Sequence, residues 1–297
     1  MSDFSPATRN GSMWSGDSRR IAQGKANEVI LTKTGQMPIP DLSHIEAVQM
    51  GHVFEPVIGR LASERLQVNL EKIEDALTHP TEPWLKSHFD FVGKQDGETI
   101  LVECKNYNAQ VRNKFEPGLI PPADMAQCIH EALVYGCSKV YLAVLFGGQE
   151  LQLFPVEVTE QMKKDLLLKL AEVWGRIQTK NPYPPEDLEQ TRLMFPTSTE
   201  SLKTASQSVE MACSTLANIK DQIKVLEAQE AQLQTMIQGY MEDKGTLVSI
   251  DNKVLATWKN AKASMKFDSK LFQQSMPDIY EQFVRPISGS RRFLVKS

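Results

Sequence analysis

Two hydrophobic rhythms divide the chain. Between Lys86 and Val158 apolar residues come in short alternating or continuous runs, the mark of strands. Before and after that stretch they recur every third or fourth position, the mark of helices. The strongest buried strand is Lys139–Phe146 (KVYLAVLF), which Gly147-Gly148 turns into a further strand, Glu150–Val158. Lys86–Gly93 and Glu98–Lys105 read as two more strands, joined through Asp96-Gly97, a tight-hairpin signal. Ser18–Thr34 reads as a turn and then a helix, and Asp41–Leu77 as mainly helical, with Val53, Phe54, Val57, Ile58 and Leu61 on its apolar face. Asn106–Ala123 reads as a loop, Asp124 as the cap of a helix ending near Tyr135, and Thr159 to about Thr179 as an amphipathic helix. Strands interleaved with helices predict an α/β fold with a mixed central sheet.

Five segments follow from this pattern. Residues 1–17 form a flexible N-terminus, 18–180 the α/β core and 181–199 a linker holding four prolines. In 200–243 the apolar positions step by three and four from Leu202 to Tyr240, broken only by Glu230. This predicts one long helix or a helical hairpin with coiled-coil character, structural or oligomerising rather than catalytic. Residues 244–297 form a small basic tail, with a hairpin about Asp251-Asn252, a short helix from Asp268 and a basic strand at Arg291–Lys296.

Composition adds limits. With 41% hydrophobic and 24% charged residues, the 297-residue chain is an ordinary globular sequence, large enough for one substantial core and a satellite domain. No apolar run is long enough to cross a bilayer, and Met1-Ser-Asp-Phe-Ser-Pro lacks a signal-peptide pattern, so a cytoplasmic protein with no membrane association is expected. The four cysteines form no Cys-x-x-Cys pair and read as buried thiols. The net charge of −4 is unevenly spread: +2 over residues 1–40, +6 over 244–297 and −12 between them. Basic ends around an acidic middle permit phosphate binding without requiring it.

The chemistry collects around Asp90 and Glu103-Cys104-Lys105. In a strand Leu101, Glu103 and Lys105 share a face, and an acid and a base at the end of an apolar strand are costly to bury without purpose. With Asp90 arriving from the preceding strand, the two carboxylates suit a hard divalent cation. Magnesium needs few protein ligands, so Asp90, Glu103 and the backbone carbonyl of Cys104 suffice. Lys105 can orient the attacking water or stabilise charge on a phosphate, and Glu55, in Gly51-His-Val-Phe-Glu55-Pro56 at a helix junction, can complete the set. The competing reading is a surface hairpin with an incidental Glu103–Lys105 pair, since Glu-x-Lys alone is a common tripeptide. His88 and His130 could join the acids in a zinc or manganese site, though their spacing matches no metal motif. Trp258, Lys259, Lys262, Lys266, Arg291 and Arg292 could contact nucleic acid or form a solvated basic surface.

At these residues the chain resembles the PD-(D/E)XK nuclease superfamily, and within it the lambda-exonuclease and YqaJ-like viral recombinase branch. The blocks that carry the resemblance are Ser18–Glu28, Gly51–Pro56, His88-Phe-Asp90, Val102-Glu-Cys-Lys105 and Met125-Ala-Gln127. Phe89 stands where the superfamily's name has proline. The resemblance implies a restriction-endonuclease-like core, with Asp90 and Glu103 binding Mg²⁺ (Mn²⁺ substituting) and Lys105 assisting the nucleophile. It implies Glu55 as a further acid and Gln127 touching substrate or positioning Lys105. Arg20, or its neighbour Arg19, would hold a 5′-phosphate, with Asn27 nearby. It further implies a 5′→3′ exonuclease on double-stranded DNA ends, phage or prophage encoded and acting in the host cytoplasm. Such an enzyme would feed a single-strand annealing protein in recombination and form a homo-oligomer, a trimer by family analogy. The alternatives are an endonuclease on the same core and a catalytically silent DNA-binding or scaffold protein.

Overall fold

In a computed structural model, which describes residues 9–39, 41–115, 119–286 and 289–296, the chain divides into two units, residues 1–194 and 195–297. The first unit is built on a five-stranded mixed sheet. Its strands are β1 (Leu70–Lys72), β4 (Phe91–Gln95), β5 (Glu98–Tyr107), β6 (Lys139–Phe146) and β7 (Glu150–Glu157), in the order β1-β4-β5-β6-β7. Only β5 and β6 run parallel. They therefore need a crossover, which helix α4 (Pro122–Tyr135) supplies. The β4–β5 hairpin turns at Asp96 and Gly97, both with positive φ (54° and 86°), a backbone that glycine adopts freely and aspartate tolerates.

Each sheet face has its own helical cover. Leu101, Val140, Leu142, Val144 and Phe146 pack with Cys128, Ala132 and Val134 of α4 and with Leu170, Val173 and Ile177 of α5 (Glu160–Gln178). Val29 and Ile30 of α2 (Ala26–Lys33) close the same layer, beside α1 (Ser15–Ala22). On the other face Phe91, Val102, Ala143 and Leu145 meet Ile58 and Ala62 of α3 (Glu46–Leu66). At Gly59 the helix lies close against the sheet, and an added Cβ would come within 2.3 Å of the Phe91 ring. Burying both faces explains why β5 and β6 read as near-continuous apolar runs.

The structure departs from the sequence reading at several places. Met13 and Trp14, expected in a flexible lead-in, are buried, and Met13 bridges Leu85. The Met13 carbonyl accepts from Lys86 N–H, and the strand expected over Lys86–Gly93 breaks at His88–Asp90. Its first part, β3 (Lys86–Ser87), pairs instead with β2 (Leu77–Thr78). The helix expected to reach Leu77 ends at Leu66, where Gln67 takes a left-handed conformation, and it runs through Pro56 as one element. Strand β5 extends two residues past Lys105 and is followed by a 3₁₀ turn at Ala109–Lys114. The rest of the expected loop includes 116–118, outside the described residues. Within the expected linker, Leu188–Met194 forms a short helix, α6. Cys213 is exposed rather than buried.

The second unit contains one uninterrupted 35-residue helix, α7 (Gln207–Met241), and not a hairpin. Val209, Ile219, Ile223, Leu226, Leu233 and Tyr240 of its apolar seam are exposed. An antiparallel hairpin follows, β8 (Thr246–Val248) with β9 (Val254–Thr257), then α8 (Ser269–Ser275), capped by Asp268, and α9 (Pro277–Phe283). Residues 291–296 form no strand.

Candidate active site

The alternation of β5 places Leu101, Glu103, Lys105 and Tyr107 on the face covered by α4. Continuing the β4–β5 register from Phe91↔Val102 sets Asp90 opposite Glu103. Because the chain leaves the sheet at Asp90, its Oδ2 is free to accept the Cys104 backbone N–H at 2.7 Å. Lys105 Nζ donates to Glu103 Oε1 at 2.5 Å.

Helix α4 lays a second row of polar groups over the first. Asp124, Gln127 and Glu131 follow at intervals of three and four, so they share one face. Gln127 Nε2 donates to Glu103 Oε1 at 2.5 Å and to Glu131 Oε1 at 3.0 Å. Asp124 was expected to cap the helix, but Pro121 holds that position and Pro122 opens the first turn. Freed from capping, Asp124 Oδ1 accepts from the Tyr107 hydroxyl at 2.6 Å and from Arg19 Nε at 3.1 Å. Arg19 Nη2 in turn donates to the Tyr107 oxygen at 2.8 Å.

The remaining expected residues are placed as follows. Glu55, on α3, accepts from Lys72 Nζ of β1 at 2.9 Å and lies near enough to act on Asp90. Arg20 turns away from Arg19 and pairs with Glu28 at 3.1 Å. Asn27 is buried and is not brought to the carboxylates; its amide donates to Gln190, and its Oδ1 accepts from Tyr183 N–H. His88 stacks on Trp14 with ring centroids 5.0 Å apart. His130 is fully buried between the Ser18 hydroxyl and the Lys86 carbonyl, and desolvation brings its pKa down to about 4. Both histidines have structural partners, and no group of three or more His, Cys, Asp or Glu side chains that could hold a metal ion occurs among the described residues. Lys72, Tyr107, Asp124 and Glu131 were not anticipated. Two of them could have been found by spacing alone, since Tyr107 continues the Glu103–Lys105 face and Glu131 lies one turn beyond Gln127.

Charge accounts for what this arrangement can hold. Asp90, Glu103 and Glu131 surround one ammonium, Lys105, so the cluster carries −2 when all three acids are ionised. Burial, and then Glu103, push the Asp90 carboxyl well above the usual range, with Glu55 adding to the effect. Glu131 is raised by burial and then by Glu103 and Asp90. Burial opposes the charge on Lys105, but Glu103 outweighs it and holds the ammonium above its ordinary pKa. With all three acids ionised, the cluster would lack positive charge equal to one divalent cation, and such an ion would favour that ionised state. Asp90 and Glu103 are each oriented through one oxygen, leaving Asp90 Oδ1 and Glu103 Oε2 without a hydrogen-bond donor among the described residues. Two hard, pre-oriented oxygen donors beside a charge deficit fit magnesium or manganese.

Residues 12–138 match the family model of the YqaJ-like viral recombinase domain, in line with the resemblance carried by the sequence blocks. No curated protein sequence matches the chain. Among solved structures, the chain is similar to an alkaline exonuclease (LHK-Exo) from Laribacter hongkongensis, at 13% identity and a TM-score of 0.46, covering 59% of this chain and 92% of that one. The same enzyme in complex with dAMP gives 14% identity, a TM-score of 0.47 and the same coverage. A phage-related exonuclease from Haemophilus somnus 129PT gives 8% identity and a TM-score of 0.40, over 55% of this chain and 81% of that one.

Proposed function

We propose, taking residues 12–138 as a YqaJ-like viral recombinase domain, that the chain is a divalent-metal-dependent deoxyribonuclease that degrades double-stranded DNA from its ends. The observation that carries this reading is the meeting of Asp90, Glu103 and Lys105 at the open end of β5, with Gln127 fixing the shared carboxylate from above. Asp90 Oδ1, Glu103 Oε2 and the Cys104 carbonyl would hold Mg²⁺, or Mn²⁺ in its place. When bound, the ion supplies charge neutralisation at the phosphate and a more acidic water.

The protein's own groups do the rest. Lys105 is held as a cation, so it is no general base near neutral pH; it orients the water or phosphate oxygen and stabilises developing negative charge. Gln127 fixes Glu103 Oε1, which leaves Oε2 directed by the remaining geometry. Glu55 completes the acidic rim, paired with Lys72. Arg19, on the same face as Tyr107, receives a terminal 5′-phosphate, while Arg20 supports the turn between α1 and α2 through Glu28. A 5′→3′ polarity, a trimeric assembly, supply of a single-strand annealing protein and action in a bacterial cytoplasm during phage recombination complete the proposal. No described helix is long and apolar enough to cross a membrane.

Linear and covalently closed duplex DNA, incubated with Mg²⁺ and either wild type or Lys105→Ala, test the reading. Wild type should consume the linear form and leave the closed circle intact, and Lys105→Ala should leave both forms intact. Cutting of closed circles would assign an endonuclease. Equal activity of the two proteins would remove the site, and cleavage by neither would leave a DNA-binding scaffold.

A further inference from the structure

Three groups at the far end of the β5 row form a closed triangle. The Tyr107 hydroxyl donates to Asp124 Oδ1 (2.6 Å) and accepts from Arg19 Nη2 (2.8 Å), while Arg19 Nε donates to the same Asp124 oxygen (3.1 Å). These bonds use the Nε/Nη2 edge of the guanidinium. Its other three N–H groups find no acceptor among the described residues, and the Arg19 side chain is 33% exposed, against 4% for Asp124. A guanidinium held by one edge presents the other as a planar fork, the shape that binds phosphate through two parallel hydrogen bonds.

An ordinary ion pair tying α1 to α4 would need only Asp124 and Arg19. The hydroxyl adds a second point of contact, and two points fix the plane of the guanidinium where one would let it swing about Nε. The Tyr107 ring is itself held, its centroid 6.0 Å from that of Phe115. Tyr107 also shares its strand face with Glu103 and Lys105, so the fork is set by the element that carries the reacting groups.

We infer that Tyr107 and Asp124 are positioning residues that orient Arg19 for a terminal phosphate, and so set the preference for phosphorylated over hydroxyl DNA ends. This rests on the reading of Arg19 as the phosphate ligand. The bonds place the specificity device on β5 and α4, the two elements that also hold Glu103 and Gln127.

The test is binding, free of catalysis. Affinities of a hairpin duplex with one blunt end, bearing either 5′-phosphate or 5′-hydroxyl, are measured by fluorescence anisotropy in EDTA for wild type, Arg19→Ala, Tyr107→Phe and Asp124→Asn. Wild type should prefer phosphate, and Arg19→Ala should bring the affinity ratio to one. Tyr107→Phe should lower the ratio about tenfold, as expected for losing a hydrogen bond to a charged group. A purely architectural role would weaken both ends alike and leave the ratio unchanged. An unchanged ratio in Tyr107→Phe, with the ratio lost in Arg19→Ala, overturns the inference alone. A ratio preserved in Arg19→Ala overturns the phosphate reading beneath it. Should Tyr107→Phe fail to fold, Asp124→Asn carries the same comparison.

Discussion

Gln127 and Glu103 are joined through the amide of one and Oε1 of the other, although 24 positions separate them in the chain. The same amide hydrogen-bonds Glu131, so one side chain orients two carboxyl groups. Gln127→Leu keeps much of the volume and removes both bonds. Residues that orient metal ligands typically matter 10–100-fold for metal affinity or activity. The half-saturating Mg²⁺ concentration for digestion of linear duplex should therefore rise by about that factor. A magnesium titration of the variant that overlays wild type would refute this role.

Asp90 carries the largest unresolved electrostatic load among the proposed ligands, being buried beside Glu103 with Glu55 close by. In metal-free buffer Asp90→Asn should raise the unfolding temperature, because an amide removes the repulsion. Mg²⁺ should do the opposite comparison, stabilising wild type and not the variant. At ten times the dissociation constant the gain is about 1.4 kcal/mol, or roughly 3–6 °C. Calorimetric scans of both proteins with and without Mg²⁺ measure the two shifts.

His130 makes stability pH-dependent. Its folded pKa is about 4, below the ordinary histidine value of about 6.5, because desolvation disfavours the charged ring. Between those values the unfolded chain binds the proton and the folded chain does not. The stability contribution is therefore complete above about pH 6.5, declines as pH falls toward 4, and is flat below, a total on the order of 3 kcal/mol. Asp90 and Glu131, both raised, act in the opposite direction, so the comparison is between wild type and His130→Gln. The variant should show a shallower loss of urea midpoint between pH 7 and 4; parallel slopes would contradict the assignment.

Gly59 sets the spacing between α3 and the sheet. Gly59→Ala brings a methyl group within 2.3 Å of the Phe91 ring. Overpacking costs about 1–3 kcal/mol and exceeds the helix-propensity gain of about 1 kcal/mol. The urea midpoint should fall, and Phe91→Leu in the same chain should restore part of it. A midpoint at or above wild type in Gly59→Ala would show that the contact yields freely.

The parts legible in the sequence were those with strong local signals. Lys139–Phe146 is continuous and apolar because both sheet faces are covered, and Asp96-Gly97 marks a turn that few other dipeptides make. Strand β1 was not legible, since Val68 and Leu70 alternate over too few positions to interrupt a helical reading. The break at His88–Asp90 lies where His88 stacks on Trp14, more than seventy positions away, and no local pattern encodes that contact. The site divides in the same way. Asp90, Glu103 and Lys105 were visible as chemistry on strands. Asp124 looked like a cap, because its partner Arg19 lies 105 positions distant, and Glu131 looked like one more acid on a helix.

Asp124, Gln127 and Glu131 stand on one rigid rod, each advancing about 1.5 Å per residue and turning about 100°. On the proposed function, the distance between a bound DNA end and the reacting phosphate would be graduated by a helix, not by the nucleic acid. A single residue inserted between Asp124 and Gln127 would rotate one mark of that ruler off the face while deleting no side chain. The chain would keep its parts and lose its measure.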